Sequence, residues 1–111
     1  MSKIDLKLSH QQLGALVFSF NSINTIPVNN REVKVARSVL DKVILKFRKK
    51  HLETEQMMTL FTKKKPIKFT LEYYEAHYLE SFVSIMDNFP MNEYDKNVLR
   101  FIKNGLNQKL A

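Results

Sequence analysis

Hydrophobic residues recur every three or four positions along most of this chain, which is the spacing of one buried face on an amphipathic helix. The longest such pattern lies between Asn29 and Lys65, a stretch that contains neither Gly nor Pro. Its apolar positions are Val33, Ala36, Val39, Leu40, Val43, Ile44 and Phe47. The pattern predicts one long helix around which the rest of the chain is organised.

Strict alternation replaces the helical spacing in residues 3–8, Lys-Ile-Asp-Leu-Lys-Leu. Alternation of this kind is typical of a short, half-buried strand. Ser9 follows, and Gln12 three residues later completes a capping-box pattern that begins a helix. We expect this helix to end near residues 21–24, because Pro27 disfavours a helical conformation in the residue before it.

The same order of patterns recurs in residues 66–111. An alternating segment is followed by a long helical pattern, by Pro90, and by a second helix start at Asn92. Pro27 and Asn29 have the equivalent places in the first half, where Asn29 is predicted to cap the long helix. The recurrence predicts two strand–helix–helix units.

The predicted fold is therefore mainly α, a single domain over residues 1–111 that forms a four-to-five-helix bundle. Its half-repeats are residues 3–50 and 66–111, connected by 51–65. Each half is too small to bury its own apolar face, so we expect the halves to pack together and the two strands to pair as a minimal sheet.

Three interpretations of residues 51–65 stay open. The long helix can continue to about Thr62, or it can break near His51 and restart as a short helix. Alternatively, residues 57–62 form a strand that pairs with the one after Pro66. Helical spacing favours the first two interpretations.

Positive charge is concentrated in one part of the chain, whose formal net charge is +7. Residues 31–65 carry eleven Lys or Arg and four Asp or Glu, whereas residues 1–30 sum to +1 and residues 66–111 to −1. A basic surface of this kind favours an acidic partner, and nucleic acid is the commonest one.

The sequence therefore predicts a small, non-enzymatic binding or regulatory protein that contacts DNA or RNA through this basic segment. Tyr73 is added because it lies off the apolar stripe of its helix and follows a lysine cluster, and aromatic rings among basic residues can stack on bases. The predicted contact residues are Arg31, Lys34, Arg37, Lys46, Arg48, Lys49, Lys50, Lys63, Lys64, Lys65 and Tyr73.

Two other functions fit the same pattern. The basic face can dock an acidic protein surface or a second copy of the chain, with Met57, Met58 and Phe61 as an apolar anchor. Alternatively, the charge only keeps a compact helical domain in solution.

The sequence gives little sign of catalytic or metal chemistry. It has no Cys, and none of its three His residues has a His partner at helical ligand spacing. The two Gly residues lie far apart, which excludes a glycine-rich phosphate loop. We therefore expect no enzyme activity, no cofactor and no metal.

No apolar run reaches the roughly 20 residues that a membrane span needs, and the N-terminus lacks the apolar stretch of a signal peptide. We therefore expect a soluble, cytoplasmic protein that does not contact membranes.

Overall fold

The computed structural model describes residues 3–56 and 65–111, which form a mainly helical fold with one small sheet. Its elements in chain order are strand β1 (Ile4–Leu8), helix α1 (His10–Ser19), a 3-10 helix (Phe20–Thr25), helix α2 (Arg31–Gln56), strand β2 (Ile67–Leu71), helix α3 (Tyr73–Met86) and helix α4 (Glu93–Leu110). The predicted fold class is thereby confirmed. The limits of the domain and the equivalence of its two halves as repeats stay predictions.

The four helices pack as a ring, each against the next, with α4 closing back onto α1. In this arrangement α2 and α4 lie diagonally across the bundle. None of the helices in the described part of the chain is long and apolar enough to cross a membrane.

The two strands pair in antiparallel register, with Ile4 opposite Leu71 and Leu8 opposite Ile67. Their alternation places one face of the sheet on the helices and the other in solvent, as the pattern predicted. The side chains buried beneath the sheet are Ile4, Leu6, Leu8, Phe69 and Leu71.

A cluster of four phenylalanines joins both halves of the chain at the centre of the core. Phe47 of α2 stacks on Phe69 of β2 with ring centroids 4.1 Å apart. Phe20, at the start of the 3-10 helix, contacts Phe47 and also Phe82 of α3, with ring centroids 6.1 and 5.5 Å apart respectively. Burial of each ring stabilises the fold by about 1.5–3 kcal/mol.

Side-chain caps begin the helices, largely where the sequence placed them. Ser9 accepts a hydrogen bond from the Gln12 amide, while the Gln12 side chain accepts one from the Ser9 amide. Asn92 caps α4 in the predicted way. Helix α2 differs, because Asn30 and not Asn29 accepts the amide hydrogen of Val33, at 2.9 Å. Adjacent asparagines cap equally well, so the pattern could not choose between them.

Helix α2 passes through His51 without interruption and is described as far as Gln56. The interpretation in which the helix breaks near His51 is therefore wrong. The stripe that buries Phe47 continues through His51 and Thr54, both half-buried, which keeps the same helix face on the bundle. The other two interpretations, a helix to Thr62 and a strand at 57–62, fall on residues outside the described part.

Candidate functional site

A groove of about 440 Å³ lies between the first half of α2 and the first turn of α3. Its cations are Arg31, Lys34 and Lys42, all from α2, and α3 contributes Tyr74 and Glu75. We name this feature the α2–α3 groove. It combines positive charge with an exposed aromatic ring.

Helical periodicity places the groove cations along one side of α2. Lys42 lies eleven residues after Arg31, which is about three turns and about 16 Å along the helix axis. Lys49 follows about five turns after Arg31 on the same side, about 27 Å away. A line of positive charge therefore extends from the groove towards the C-terminal half of the helix.

The groove cations differ from other basic residues of α2 in having no acidic or hydrogen-bonding partner among the described residues. Arg31, Lys34 and Lys42 are exposed, and so are Lys49 and Lys50. Because no carboxylate of the described chain neutralises them by direct contact, their positive charge is directed into solvent.

Arg37, by contrast, holds the 3-10 helix against α2. Its guanidinium donates to the Asn24 side chain at 2.6 Å and to the Ile23 carbonyl at 3.4 Å. Nε donates to Asp41, one turn further along α2, at 3.2 Å. These contacts give Arg37 a structural role and occupy three of its five N–H donors.

Lys46 and Arg48 are also used within the molecule. The Lys46 ammonium lies 3.7 Å from the Glu75 carboxylate and donates to the Thr70 carbonyl at 3.4 Å. Arg48 donates to the Asn21 side chain at 3.2 Å. Three of the predicted contact residues therefore fasten α2 to its neighbours.

The two adjacent tyrosines of α3 have different environments. Tyr73, the predicted contact residue, is 39% exposed, and its hydroxyl is bonded to the end of α4. Tyr74 is 52% exposed and lines the α2–α3 groove. The aromatic ring beside the groove cations is therefore that of Tyr74, whereas the sequence predicted Tyr73.

The groove also contains one carboxylate, that of Glu75, which is already engaged. Its side chain is 13% exposed and pairs with Lys46. The same carboxylate accepts the Glu72 amide hydrogen at 2.9 Å, so it caps α3 as well. Glu75 therefore leaves most of the positive charge of the groove uncompensated.

The remaining predicted contacts lie at or beyond the edge of the described chain. Lys65 is exposed, just before β2. Lys63 and Lys64 lie outside the described residues, as do Met57, Met58 and Phe61, the predicted apolar anchor.

Lys42 and Tyr74 line the groove but were not among the predicted contacts. The spacing of Lys42 from Arg31, close to three whole turns, was a signal that could have found it. The four-residue spacing of Tyr74 from Tyr78, and of Tyr78 from Phe82, predicts a place for Tyr74 on the buried stripe of its helix. In the structure the buried face of α3 includes Ala76, Leu79 and Val83, and Tyr74 lies at the edge of that face.

Comparison with protein-family models, with curated proteins and with solved structures finds no match for this chain. Its function has to be inferred from the contacts and charges of the groove.

Proposed function

We propose that this is a non-enzymatic nucleic-acid-binding protein, and that the α2–α3 groove holds a single strand. The observation that carries the proposal is the meeting of Arg31, Lys34 and Lys42 with the exposed Tyr74 in one groove. The cations pair with backbone phosphates, and the tyrosine ring stacks on a base.

Some cations of α2 are bonded within the fold and others are not, and this difference supports binding of an external anion. Arg37, Lys46 and Arg48 are bonded within the fold, so stability alone accounts for their positions. Stability does not account for the groove cations, which have no partner among the described residues. A polyanion that follows the line from Arg31 to Lys49 satisfies them, and release of its counterions drives the association.

A single strand is favoured over a duplex because the aromatic ring and the cations share one concave surface. Bases in a duplex are stacked on each other and leave no face for Tyr74, whereas an unpaired base can stack on its ring. The line of charge, about 27 Å long, matches a short segment of extended single strand.

Fluorescence anisotropy with labelled, mixed-sequence single strands of DNA and RNA, about 16 nucleotides long, tests the proposal. At about 50 mM salt we expect a Kd between about 1 and 100 µM and a steep loss of affinity as salt is added. The matching duplex is expected to bind more weakly. Absence of binding to any strand in this range would reject the proposed function.

Lys42→Gln and Lys103→Gln form a matched pair for this assay. Both remove one positive charge, but Lys42 lines the groove and Lys103 lies on α4, diagonally across the bundle. Loss of one phosphate contact lowers the slope of log affinity against log salt by about 0.7 for a single strand. We expect that change for Lys42→Gln and no comparable change for Lys103→Gln.

The same anisotropy assay distinguishes nucleic acid from an acidic protein as the partner. Labelled poly-glutamate of comparable charge provides the probe, since it supplies carboxylates but no bases. Tight binding of poly-glutamate without binding of nucleic acid would replace the proposal with an acidic-protein partner. We expect the opposite preference, because Tyr74 stacks on bases and has no equivalent contact with a polyacid.

A further inference from the structure

Three potential metal ligands meet on the opposite side of α2 from the groove. His10 is the first residue of α1, and His51 and Glu55 lie one turn apart on α2. One ligand atom from each residue lies within 4.8 Å of those of the other two. We propose that His10, His51 and Glu55 bind Zn²⁺ with three protein ligands and one open position.

One of the three separations in the cluster already matches the spacing of zinc ligands. Tetrahedral zinc with bonds of about 2.0–2.1 Å requires ligand atoms about 3.3–3.4 Å apart. His51 Nε2 and Glu55 Oε1 are already 3.4 Å apart. The other separations have to shorten by at most about 1.4 Å, which rotation of the His10 and Glu55 side chains can supply.

Helix packing directs the two imidazoles to the same place. Their rings lie nearly parallel, 24° apart, with centroids separated by 5.6 Å. His51 Nε2 points at α1, where a side chain built on Gly14 would begin 3.6 Å from it. Gly14 lies one turn after His10, so His51 Nε2 faces the first turn of α1 at van der Waals distance.

An ion pair between His51 and Glu55 explains only part of this arrangement. Residues at i and i+4 on a helix meet in any case. That pairing gives no reason for a second imidazole from another helix to face the same carboxylate. A cation between the three groups satisfies all of them, and two imidazoles with one carboxylate are a donor set that zinc accepts.

The sequence also limits what can complete the coordination shell. Residues 1–2 and 57–64, which the structure does not describe, contain no His, Cys, Asp or Glu. The fourth ligand is therefore water or a group from outside the chain. Three protein ligands with one exchangeable position are the arrangement of accessible zinc sites, whereas closed structural sites have four protein ligands.

Isothermal titration of untagged, EDTA-treated protein with ZnCl₂ tests the site. We expect saturable binding of one Zn²⁺ per chain and a melting temperature that rises with zinc concentration. Removal of a hydrogen-bonding neighbour of a ligand typically costs 10–100-fold in affinity, so loss of a ligand should weaken binding by at least about 10-fold. Co²⁺ in place of Zn²⁺ should give the visible absorption of a four-coordinate ion.

Glu55→Gln and His77→Ala are the decisive variants. Glu55 is exposed, so its amide replacement leaves the fold intact while removing the anionic ligand. His77, the third histidine, is exposed on α3 and serves as the control. Zinc affinity should fall in Glu55→Gln, and in His51→Ala as a second variant, but not in His77→Ala.

Absence of one-to-one zinc binding would overturn the proposed site. So would an unchanged affinity in Glu55→Gln, or an equal loss in His77→Ala. His51 and Lys42 are nine residues apart and therefore on opposite sides of α2. Failure of the zinc site thus leaves the nucleic-acid proposal standing, and the reverse also holds.

Discussion

The hydroxyl of Tyr73 donates a 2.7 Å hydrogen bond to the carbonyl oxygen of Leu110, joining the first residue of α3 to the last residue of α4. The last carbonyls of a helix have no partner within it, so this bond satisfies one of them. Tyr73 therefore fixes the end of α4 against the start of α3.

Tyr73→Phe removes that bond and leaves the ring in place. Because the site is partly exposed, we expect the free energy of unfolding to fall by about 0.5–1 kcal/mol. Urea denaturation measures the change. Tyr74→Phe is the control, since its hydroxyl has no partner among the described residues and its effect should stay within about 0.5 kcal/mol. Equal losses in both variants would contradict this role for Tyr73.

Tyr74→Ala is expected to weaken single-strand binding by about 5-fold or more, because it removes the stacking surface beside the groove cations. Tyr74→Phe should bind like the parent protein, since the ring and not the hydroxyl makes the contact. Anisotropy titrations measure both. Tyr94→Ala, at an exposed tyrosine of α4, is the matched control. A similar loss in this control would argue against stacking in the groove.

Gly105→Ala should stabilise the protein by about 0.5–1 kcal/mol, because glycine within a helix costs conformational entropy relative to alanine. Helix α4 continues through Gly105 to Leu110, and an added Cβ would have no atom within 4 Å outside its own turn. Thermal or urea unfolding measures the gain. No gain would mean that α4 frays before this residue.

Lys7 and Lys68 face each other directly across the two strands, and like charges in that position destabilise a sheet. Lys7→Thr removes the repulsion and introduces a residue that favours strands. We expect a gain of about 0.2–1 kcal/mol in the free energy of unfolding at low salt. The gain should shrink in high salt, which screens the repulsion in the parent protein. If the gain did not depend on salt, strand propensity alone would account for it.

Asp87 provides a test by pH. The hydrogen bond from Arg100 Nε, 2.9 Å long, lowers the pKa of the Asp87 carboxyl below its ordinary value of 3.8, and the charges of Arg100, Lys103 and Lys96 act in the same direction. Because the pKa is lower in the folded than in the unfolded state, the ionised carboxylate stabilises the fold at pH values above 3.8. This stabilisation is lost as the pH falls through the folded pKa.

Asp87→Asn should therefore melt at a lower temperature than the parent protein at neutral pH. The difference should narrow as the pH falls below 3.8 and vanish once Asp87 is protonated in the folded parent protein. Melting curves across this range provide the measurement. A difference that does not depend on pH would show that the packing of the side chain, and not its charge, is responsible.

Local patterns accounted for the two strands and the four α-helices, but not for the end of α1 at Ser19 or for the 3-10 helix that follows it. The alternation before Ser9 became β1, the long apolar stripe became α2, and Ser9 and Asn92 cap their helices. These features depend on side-chain periodicity and on hydrogen bonds that reach only three residues, both of which can be read along the chain.

The candidate sites depended on contacts that no local pattern contains. Arg37 and Arg48 looked like free cations, yet each bonds an asparagine of the 3-10 helix that precedes α2. Tyr73 looked like the exposed ring, but α4 supplies it with a partner and leaves Tyr74 beside the groove. Which cation is neutralised depends on which helix lies beside it.

The sequence by itself determined that this chain forms four helices, one of them long and basic, and two short strands, because hydrophobic periodicity and helix caps act over a few residues. Only the tertiary structure decided which positive charges are directed outwards and that His10 approaches His51. Those outcomes depend on how helices distant in sequence are packed and rotated against one another, which the spacing within any one helix does not specify.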